Sequence, residues 1–213
     1  MAVVVQISSY EELRKIIEES GKEYDRAEIE QAYRLAEEKH QDQKRSSGEP
    51  YIIHPLSVAA ILVGLGMDSE SVMAGLLHDV VEDTDCTIEE IQKTFGKEVA
   101  LLIDGVTKLT KIPYSSREEQ QAENLRKMLM AMAEDIRVII IKFADRMHNL
   151  STLEYMSPQK QRDKAVECLE VYAPIADRLG IRTVKEYMED ISLKYLDCLL
   201  YTSPSPRDVE ESR

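Results

Sequence analysis

The sequence predicts an all-α protein of about ten helices, and three observations carry that prediction. Residues that favour helices, such as Glu, Lys and Gln, are common, whereas glycine occurs only 8 times in 213 residues and aromatic residues make up 6%. Apolar residues recur at the three- and four-residue spacing of a helix face. Short segments with proline, glycine or serine separate these stretches. The length suits one compact domain with a real core.

The first helical segments can be assigned in order. The alternation of apolar and charged residues predicts an amphipathic helix over residues 25–43. After a turn-rich loop, KRSSGEPYI, Pro55 can occupy the first turn of the next helix, which places His54 at its N-terminal edge. That helix closes near Gly64. The next helix is expected to run from Ser69, as its cap, to about Asp83.

Further signals continue the helical pattern. Thr87 and Glu90 match a capping box for a short helix that ends near Gly96. The segment KIPYSSREEQQ is predicted to be a polar loop, Pro158 to open a late helix, and VYAPIADRLGI to contain a kink or break. The remaining helices are expected at 97–109, 122–134 and 136–150.

Composition limits the location and the partners of the chain. The formal net charge of −13 disfavours a nucleic-acid polymer or an anionic membrane as the main partner, since both require a basic surface. The three cysteines form no CxxC pair and are typical of free thiols in a reducing compartment. The apolar run near the N-terminus is too short for a signal peptide or a membrane span. We therefore expect a cytoplasmic protein.

The expected domain organisation has three parts. Residues 1–24 are an N-terminal segment, and residues 25–197 form the folded domain. Residues 198–213, with two prolines and three serines but no apolar periodicity, are expected to be a disordered tail that is foreign to the domain.

The segment GLLHDVVEDT, residues 75–84, raises the question of function. On a helix its apolar residues form one face, and four polar side chains gather opposite: His78, Asp79, Glu82 and Asp83. Periodicity alone favours a solvated face. However, no Lys or Arg lies between Ser69 and Thr84, and clustered carboxylates repel one another unless a cation or a shared proton relieves them. Gly75 also removes bulk from the middle of the polar face.

Two more residues could complete a metal site. His54 lies in an apolar segment, where a lone histidine is more often structural. Asp145 lies in the strongly apolar helix IRVIIIKFADRMHNL, where an unpaired carboxylate would be costly. Lys142 or Arg146 could pair with it instead of a metal. Two further polar residues fall on the face of Asp145, four and seven positions later: Asn149 and Thr152.

Two imidazoles and two carboxylates form a mixed nitrogen and oxygen donor set. Such a set suits Mn²⁺, Fe²⁺ or Zn²⁺ better than Ca²⁺ or a thiolate-bound metal. Glu82 lies one turn after His78, close enough to orient an attacking water. A Lewis acid beside a carboxylate base is a recognised arrangement for hydrolysing phosphate esters or pyrophosphates.

The chain carries His54, then His78-Asp79, then Asp145, all on predicted helices, and this order resembles the sequence signature of the HD superfamily of metal-dependent phosphohydrolases. Within it, the chain is similar to the hydrolase domain of Rel/SpoT-type enzymes, which degrade the alarmone (p)ppGpp. The similarity covers roughly residues 28–197 and includes five blocks: RSSGEPYIIHP, AGLLHDVVEDTDCT, FGKEVALLIDGVTKLTKI, AENLRKMLMAMAEDIRVIIIKFADRMHNL and YAPIADRLGI.

The resemblance implies a helical HD domain, a reaction and a role for each site residue. One ion, usually Mn²⁺, would be ligated by His54, His78, Asp79 and Asp145. Glu82 and Asp83 would hold and activate the water that releases pyrophosphate from the ribose 3′ position, giving GDP or GTP. Arg45 would stack on the guanine, as its planar cation allows. Three residues would line the nucleoside pocket: Ser47, Asn149 and Thr152.

Two other functions remain as alternatives. The first is an HD-type phosphohydrolase of other nucleotides, such as dNTPs or cyclic nucleotides. The second is a catalytically silent domain that binds a nucleotide and regulates a partner. Long family members continue into a synthetase domain, for which the residues after KYLD leave no room. We expect the front end of such an enzyme, with a stand-alone hydrolase as the alternative.

Overall fold

A computed structural model describes residues 6–110, 130 and 134–201 of the chain. Across those residues the regular structure is helical, apart from one isolated bridge between Lys44 and Pro50, so the predicted all-α class is confirmed. The described residues form two compact units that divide between Asn149 and Leu150. No helix within the described ranges has the length and apolar character needed to cross a bilayer.

The first unit holds most of the helices. Its described helices are α1 (Tyr10–Glu19), α2 (Arg26–Lys39), α3 (Ile53–Gly64), α4 (Ser69–Leu77), α5 (Val80–Asp83), α6 (Ile88–Thr110) and α7 (Ile136–Ser151), the last of which ends just beyond the unit boundary.

The second unit begins with a short 3₁₀ turn at Leu153–Tyr155. Its helices are α8 (Pro158–Glu167), a π-helical turn (Cys168–Tyr172), α9 (Ala173–Arg178) and α10 (Arg182–Tyr201). The predicted irregularity in VYAPIADRLGI is therefore real, and it takes the form of the π turn followed by a short helix. Eight α-helices in the described part of the chain are nine residues or longer, and α5 and α9 are shorter, so the expected number was close.

Helix α3 forms the centre of the first unit. Its residues from His54 to Val63 are all buried, and it packs against α1 and α4. α4 in turn packs against α2 and α6. Leu13 and Ile17 of α1 are buried against this core, although they belong to the segment expected to precede the domain. The predicted domain limits, 25–197, stay a prediction.

The helix predicted from Ser69 to Asp83 is interrupted, and this corrects the sequence interpretation. Asp68 is the N-cap of α4, because its side chain accepts a hydrogen bond from the Ser71 backbone N–H at 2.8 Å. α4 ends at Leu77, and α5 begins only at Val80. The break leaves the predicted histidine-aspartate pair in a turn rather than on a helix face.

Gly75 also has a different role from the one expected. It is buried, and a Cβ atom there would lie 2.5 Å from Leu62 Cδ1 and 3.4 Å from Val58 Cγ1. The missing side chain therefore allows α3 and α4 to approach closely, and it does not open a polar face. A glycine within a helix lowers the stability of that helix, and the close approach of α3 and α4 explains why a glycine is present here nevertheless.

Other local predictions were correct in most respects. The helix predicted at 25–43 begins where expected, with Asp25 as the cap of α2, but its predicted end was wrong because α2 ends at Lys39. The capping box at Thr87 and Glu90 is formed in both directions, with contacts of 2.9 and 3.3 Å. Gly96 breaks the helical path with φ of 87°, a left-handed value that favours glycine.

Some predictions fall on parts of the chain that are not described. The loop predicted at 111–121, nearly all of the helix predicted at 122–134, and residues 202–213 of the predicted tail lie outside the described residues.

Candidate metal centre

Four candidate ligands meet where three helical segments of the first unit come together. His54 lies in the first turn of α3, His78 and Asp79 lie in the turn between α4 and α5, and Asp145 lies in α7. The side chains of His54, His78 and Asp145 are buried. Asp79 retains 16% of its side-chain surface exposed, so this carboxylate lies at the accessible side of the cluster.

The ligand atoms are close enough to share one ion. His54 Nε2 lies 3.4 Å from Asp79 Oδ2 and 3.4 Å from Asp145 Oδ1. His78 Nε2 lies 3.2 Å from Asp79 Oδ1. One donor atom from each of His54, His78 and Asp145 falls within 4.8 Å of the others. The interrupted helix therefore brings the two adjacent residues, His78 and Asp79, to the same point.

His78 supplies the test of whether a cation fits. Its Nδ1 lies 2.7 Å from the Gly75 carbonyl oxygen, which can only accept, so Nδ1 carries the hydrogen. The Nε2 lone pair then faces the cluster. That atom is buried and has no hydrogen-bond partner among the described residues. A buried, unsatisfied imidazole nitrogen aimed at two carboxylates is suited to ligate a cation.

A second histidine supports His54 from behind. His148 Nδ1 lies 2.8 Å from His54 Nδ1, and both side chains are buried. Burial lowers the pKa of His54, and burial together with His54 and Arg45 lowers the pKa of His148 to about 2. Both imidazoles are therefore neutral at neutral pH. When the His54 Nδ1–H donates to His148, the His54 Nε2 lone pair is available to a metal.

Asp145 is held from two sides. Lys142 Nζ lies 2.8 Å from its Oδ2, and Asn149 Nδ2 donates to its Oδ1 at 2.5 Å. Burial would raise the pKa of Asp145, but the nearby positive charges of Lys142 and Arg146 hold that pKa well below its ordinary value. The ion pair proposed as an alternative to a metal is therefore present. It occupies one oxygen, while the other faces His54.

At the accessible side of the cluster, the hydroxyl of Tyr51 lies between the carboxylates of Asp79 and Asp83. The Tyr51 hydroxyl donates to Asp79 Oδ2 at 2.7 Å and lies 3.3 Å from Asp83 Oδ2. Burial opposes ionisation of Asp79, yet His78 and His54 bring the pKa of Asp79 below its ordinary value. Asp83 is exposed, and Glu82 is half-buried on the same short helix, α5. The exposed carboxylate of Asp83 therefore borders the side from which a substrate could approach.

The donor set has a clear chemical preference. Imidazole nitrogens combined with carboxylate oxygens, with no thiolate among the four candidates, suit borderline divalent ions of the first transition row. A cation would also relieve the repulsion between two carboxylates in a mostly buried position. The residues present therefore fit a divalent metal ion.

A family model described as the HD domain matches residues 32–182, which include all four candidate ligands. The chain belongs to the HD domain family. The relatives that this HD domain resembles include Rel/SpoT-type proteins. It is 54% identical over 166 residues to a probable guanosine-3′,5′-bis(diphosphate) 3′-pyrophosphohydrolase of Synechocystis sp., covering 78% of this chain and 22% of that protein.

Other relatives show the same extent of similarity. The chain is 52% identical to a GTP pyrophosphokinase of Streptomyces coelicolor, covering 82% of this chain and 20% of that protein. It is 48% identical to the bifunctional (p)ppGpp synthase/hydrolase SpoT of Escherichia coli, covering 88% of this chain and 27% of that protein. This HD domain thus spans between a fifth and somewhat over a quarter of the length of these curated relatives.

One solved structure extends the comparison to the fold. It belongs to a metazoan ortholog of SpoT that hydrolyses ppGpp, and it matches with a TM-score of 0.59 and 28% sequence identity. The match covers 81% of this chain and 98% of that chain. The helical architecture of the HD domain is therefore shared with a ppGpp-hydrolysing protein.

The predicted pocket residues have separate positions. Arg45 Nη2 donates to Asn149 Oδ1 at 2.9 Å, and Asn149 contacts Asp145, so these two predicted residues are connected to the metal cluster. Ser47 is half-buried in the same loop as Arg45 and hydrogen-bonds to Glu49 at 3.0 Å. Thr152 is buried within the second unit. The assignment of all four to a nucleoside pocket stays a prediction.

Two neighbours of the cluster were missed as functional candidates. Tyr51 and His148 touch candidate ligands directly, yet neither was singled out from the sequence. His148 follows Asp145 by three positions, so helical spacing alone places it on the same face. Tyr51 precedes His54 by three residues, but its contact with Asp79 spans 28 residues of sequence, and no local pattern reports such a contact.

Proposed function

We propose that this HD domain hydrolyses guanosine 3′,5′-bis(diphosphate), ppGpp or pppGpp, in a Mn²⁺-dependent reaction. One water is consumed, and the products are pyrophosphate and GDP or GTP. In a cell this reaction would end the stringent response. We place this reaction in a reducing, cytoplasmic compartment, because the three cysteines of the sequence form no CxxC pair.

The observation that carries the proposal is the convergence of His54, His78, Asp79 and Asp145 on one point, with carboxylates on its accessible side. A divalent ion held there would supply Lewis-acid polarisation of a phosphoryl oxygen. The names of the relatives point to the substrate class, because those proteins act on guanosine 3′,5′-bis(diphosphate) or on GTP. Mn²⁺ is the member of the suitable series that the family resemblance favours.

Each ligand is prepared for its task by its neighbours. The Gly75 carbonyl fixes His78 as the tautomer whose Nε2 can ligate, and His148 has the same effect on His54 when its Nδ1 accepts the His54 Nδ1–H. Lys142 keeps Asp145 ionised although it is buried. These contacts hold the candidate ligands ready before a metal arrives, which reduces the cost of ordering them on binding.

Glu82 and Asp83 are proposed to orient the attacking water and to accept its proton. Both lie on α5, directly after the Asp79 turn, and the exposed Asp83 carboxylate lies 3.3 Å from the Tyr51 hydroxyl. A carboxylate in that position can act as a general base once a substrate is bound. Attack on the phosphorus bonded to the ribose 3′ oxygen would break that P–O bond and release pyrophosphate, and the proton taken from the water would pass from the carboxylate to the departing 3′ oxygen.

Arg45 and Asn149 are proposed to hold the nucleoside, together with Ser47. The same role for Thr152 stays a prediction from the sequence. The hydrogen bond from Arg45 to Asn149 supports this role, because it connects a planar cation to the residue that contacts Asp145. The guanidinium can stack on a purine while one N–H group stays bonded to Asn149.

The test uses purified protein and ppGpp labelled in its 3′ diphosphate, with and without Mn²⁺. We expect release of labelled pyrophosphate that requires Mn²⁺ and is abolished in Asp79→Ala. Release of single phosphates, or the same rate in the presence of a chelator, would contradict the proposed reaction. A faster rate on dGTP than on ppGpp would favour the broader HD-type phosphohydrolase activity.

The division of roles between ligands and base has its own test. Glu82→Ala should retain Mn²⁺ and lose turnover by about 100-fold or more, the usual contribution of a general base. Glu89→Ala, on the exposed surface of α6, serves as the control and should retain full turnover. If Glu82→Ala loses the metal, then Glu82 is a ligand.

A further inference from the structure

One tyrosine hydroxyl lies between the two carboxylates that flank α5. Tyr51 donates to Asp79 Oδ2 at 2.7 Å, and Asp83 Oδ2 lies 3.3 Å from the same hydroxyl. A phenol has a single hydrogen to donate, so Asp79 receives the stronger bond and Asp83 a weaker, shared contact. Asp79 and Asp83 are therefore fixed relative to each other through one atom.

The tyrosine ring is itself held firmly. It packs on the His40 ring with centroids 4.7 Å apart and meets the His54 ring edge-on at 6.0 Å. The Tyr51 backbone N–H donates to the Gln43 carbonyl at 3.0 Å, and its own carbonyl accepts from the His54 N–H at 2.9 Å. The position of the hydroxyl is thus determined by the same backbone that carries His54.

A second contact connects this loop to Asp83. The Gln43 side-chain amide donates to the Asp83 backbone carbonyl at 3.3 Å, while its oxygen lies 2.8 Å from His40 Nδ1. The loop between α2 and α3 therefore holds both the side chain and the backbone of Asp83. Since α5 is only four residues long, it has little internal stability and gains its orientation from such contacts.

The two carboxylate oxygens of Asp79 have different neighbours, and the hydrogen bond from Tyr51 fixes which oxygen faces which imidazole. Oδ2 receives the Tyr51 hydroxyl and lies 3.4 Å from His54, while Oδ1 lies 3.2 Å from His78 Nε2. Without the phenol hydrogen bond, this partly exposed carboxylate could rotate away from both imidazoles.

We propose that Tyr51 is a positioning residue, whose hydroxyl fixes Asp79 towards the metal and Asp83 towards the water. The inference rests on the proposed function for the reaction that it serves. The effect on metal affinity depends only on the geometry around Asp79. Hydrogen-bonded neighbours of ligands typically contribute about 10- to 100-fold to metal affinity or activity.

The test compares Tyr51→Phe with Tyr24→Phe. Both substitutions remove one half-buried hydroxyl that donates a hydrogen bond, and Tyr24 donates to the Met67 carbonyl at 2.8 Å, outside the candidate metal centre. Phenylalanine keeps the ring that packs on His40. Mn²⁺ affinity is measured by competition with a chelating dye, the visible spectrum is recorded with Co²⁺, and kcat and KM are determined for ppGpp. Melting of the metal-free proteins reports on folding.

For Tyr51→Phe we expect Mn²⁺ affinity to fall by about 10- to 100-fold and the Co²⁺ spectrum to change. At saturating Mn²⁺, kcat should fall more than KM rises, because Asp83 loses its orientation. The metal-free melting temperature should match that of Tyr24→Phe. Equal Mn²⁺ affinity, spectrum and kcat in the two variants would overturn the inference, as would losses that follow only a lower melting temperature.

Failure of this inference differs from failure of the proposed function. A wild-type protein that binds Mn²⁺ but leaves ppGpp intact contradicts the proposed reaction, while the affinity comparison still tests Tyr51. A wild-type protein that hydrolyses ppGpp beside an equally active Tyr51→Phe contradicts the role of Tyr51 alone. A wild-type protein that binds no divalent ion contradicts both.

Discussion

Two charge clusters involve α7 and the residue before it, and they differ in burial. At the start of α7, Arg137 lies 2.6–2.8 Å from three carboxylates: Asp68, Glu98 and Asp135. These acids retain 33–57% of their side-chain surface exposed. Two turns further along, Asp145 and Lys142 are almost fully buried beside His54.

The pKa of the acids does not separate the two clusters. The hydrogen bond from Arg137 lowers the pKa of Asp135, just as the positive charges of Lys142 and Arg146 lower the pKa of Asp145. The difference is geometric. In the Arg137 cluster one guanidinium satisfies three acids at the surface, whereas in the other a buried imidazole nitrogen of His78 points at carboxylates without a hydrogen-bond partner among the described residues. A buried imidazole nitrogen that faces carboxylates without a hydrogen-bond partner indicates a binding site for a cation. An exposed network in which every charge is paired indicates a structural role.

The largest expected difference concerns the two aspartates. Asp145→Asn should weaken Mn²⁺ binding by more than about 100-fold, because loss of a ligand exceeds the usual effect of losing its neighbour. Asp135→Asn is the matched control and should leave Mn²⁺ affinity unchanged. Isothermal titration with Mn²⁺ provides the measurement, with circular dichroism to show that both variants are folded.

Asp145→Asn also removes the carboxylate that Lys142 contacts, so its stability is expected to fall. The binding comparison is therefore made at a temperature at which both variants retain their helical signal. Equal Mn²⁺ affinity in the two variants would remove Asp145 from the site.

The next difference concerns the two cations. Lys142→Met breaks a buried ion pair and should destabilise the metal-free protein by ~3–5 kcal/mol, because Asp145 remains buried. Arg137→Met breaks ion pairs that water screens and should cost about 1 kcal/mol. Urea unfolding in the presence of a chelator measures both.

Mn²⁺ provides a further comparison of the two variants, since an ion at Asp145 supplies the positive charge that Lys142→Met removes. We expect Mn²⁺ to stabilise Lys142→Met more than it stabilises Arg137→Met. Equal destabilisation of the two metal-free variants would show that burial does not distinguish the clusters.

The smallest expected effect concerns pH. In the folded protein the pKa values of His54 and His148 lie below the ordinary imidazole value of 6.5. Below pH 6.5 the unfolded chain therefore binds protons at these two imidazoles that the folded chain does not bind. Stability is therefore fully present above about pH 6.5 and falls as the pH decreases, by up to about 1.4 kcal/mol per pH unit for each imidazole. Asp79 and Asp145 add a further loss below their ordinary value of 3.8.

Urea unfolding of the metal-free protein at pH 7.5, 6.5 and 5.5 gives the check. If the free energy of unfolding stays constant or increases as the pH is lowered from 7.5 to 5.5, the imidazoles of His54 and His148 are not held neutral by burial.

Much of the fold could be predicted from local sequence. Asp25, the Thr87–Glu90 pair and Gly96 act through contacts or backbone angles within a few residues, so their signals are visible in the sequence. The helix interruption at His78 was missed, because apolar periodicity continues across it. Gly75 was misread for a related reason: its function depends on Leu62 of α3, and such a contact leaves no local trace.

The candidate site divides in the same way. The four ligand candidates were identified because the spacing of histidines and acids is typical of a known family, and the structure brings them together. Tyr51 and the pairing of His148 with His54 depend on contacts across 28 and 94 positions. Such contacts are set by the packing of α3 against its neighbours and have no signature within one segment.

The most direct measurement of the central claim is the number of Mn²⁺ ions bound per chain, determined by equilibrium dialysis for wild type and His78→Ala. His78 is the decisive residue because its Nε2 has no other hydrogen-bond partner among the described residues. We expect one tightly bound ion in the wild type and none in His78→Ala at the same free Mn²⁺. Retention of a full equivalent by His78→Ala would show that His78 is not a ligand and that the cluster is not the metal site.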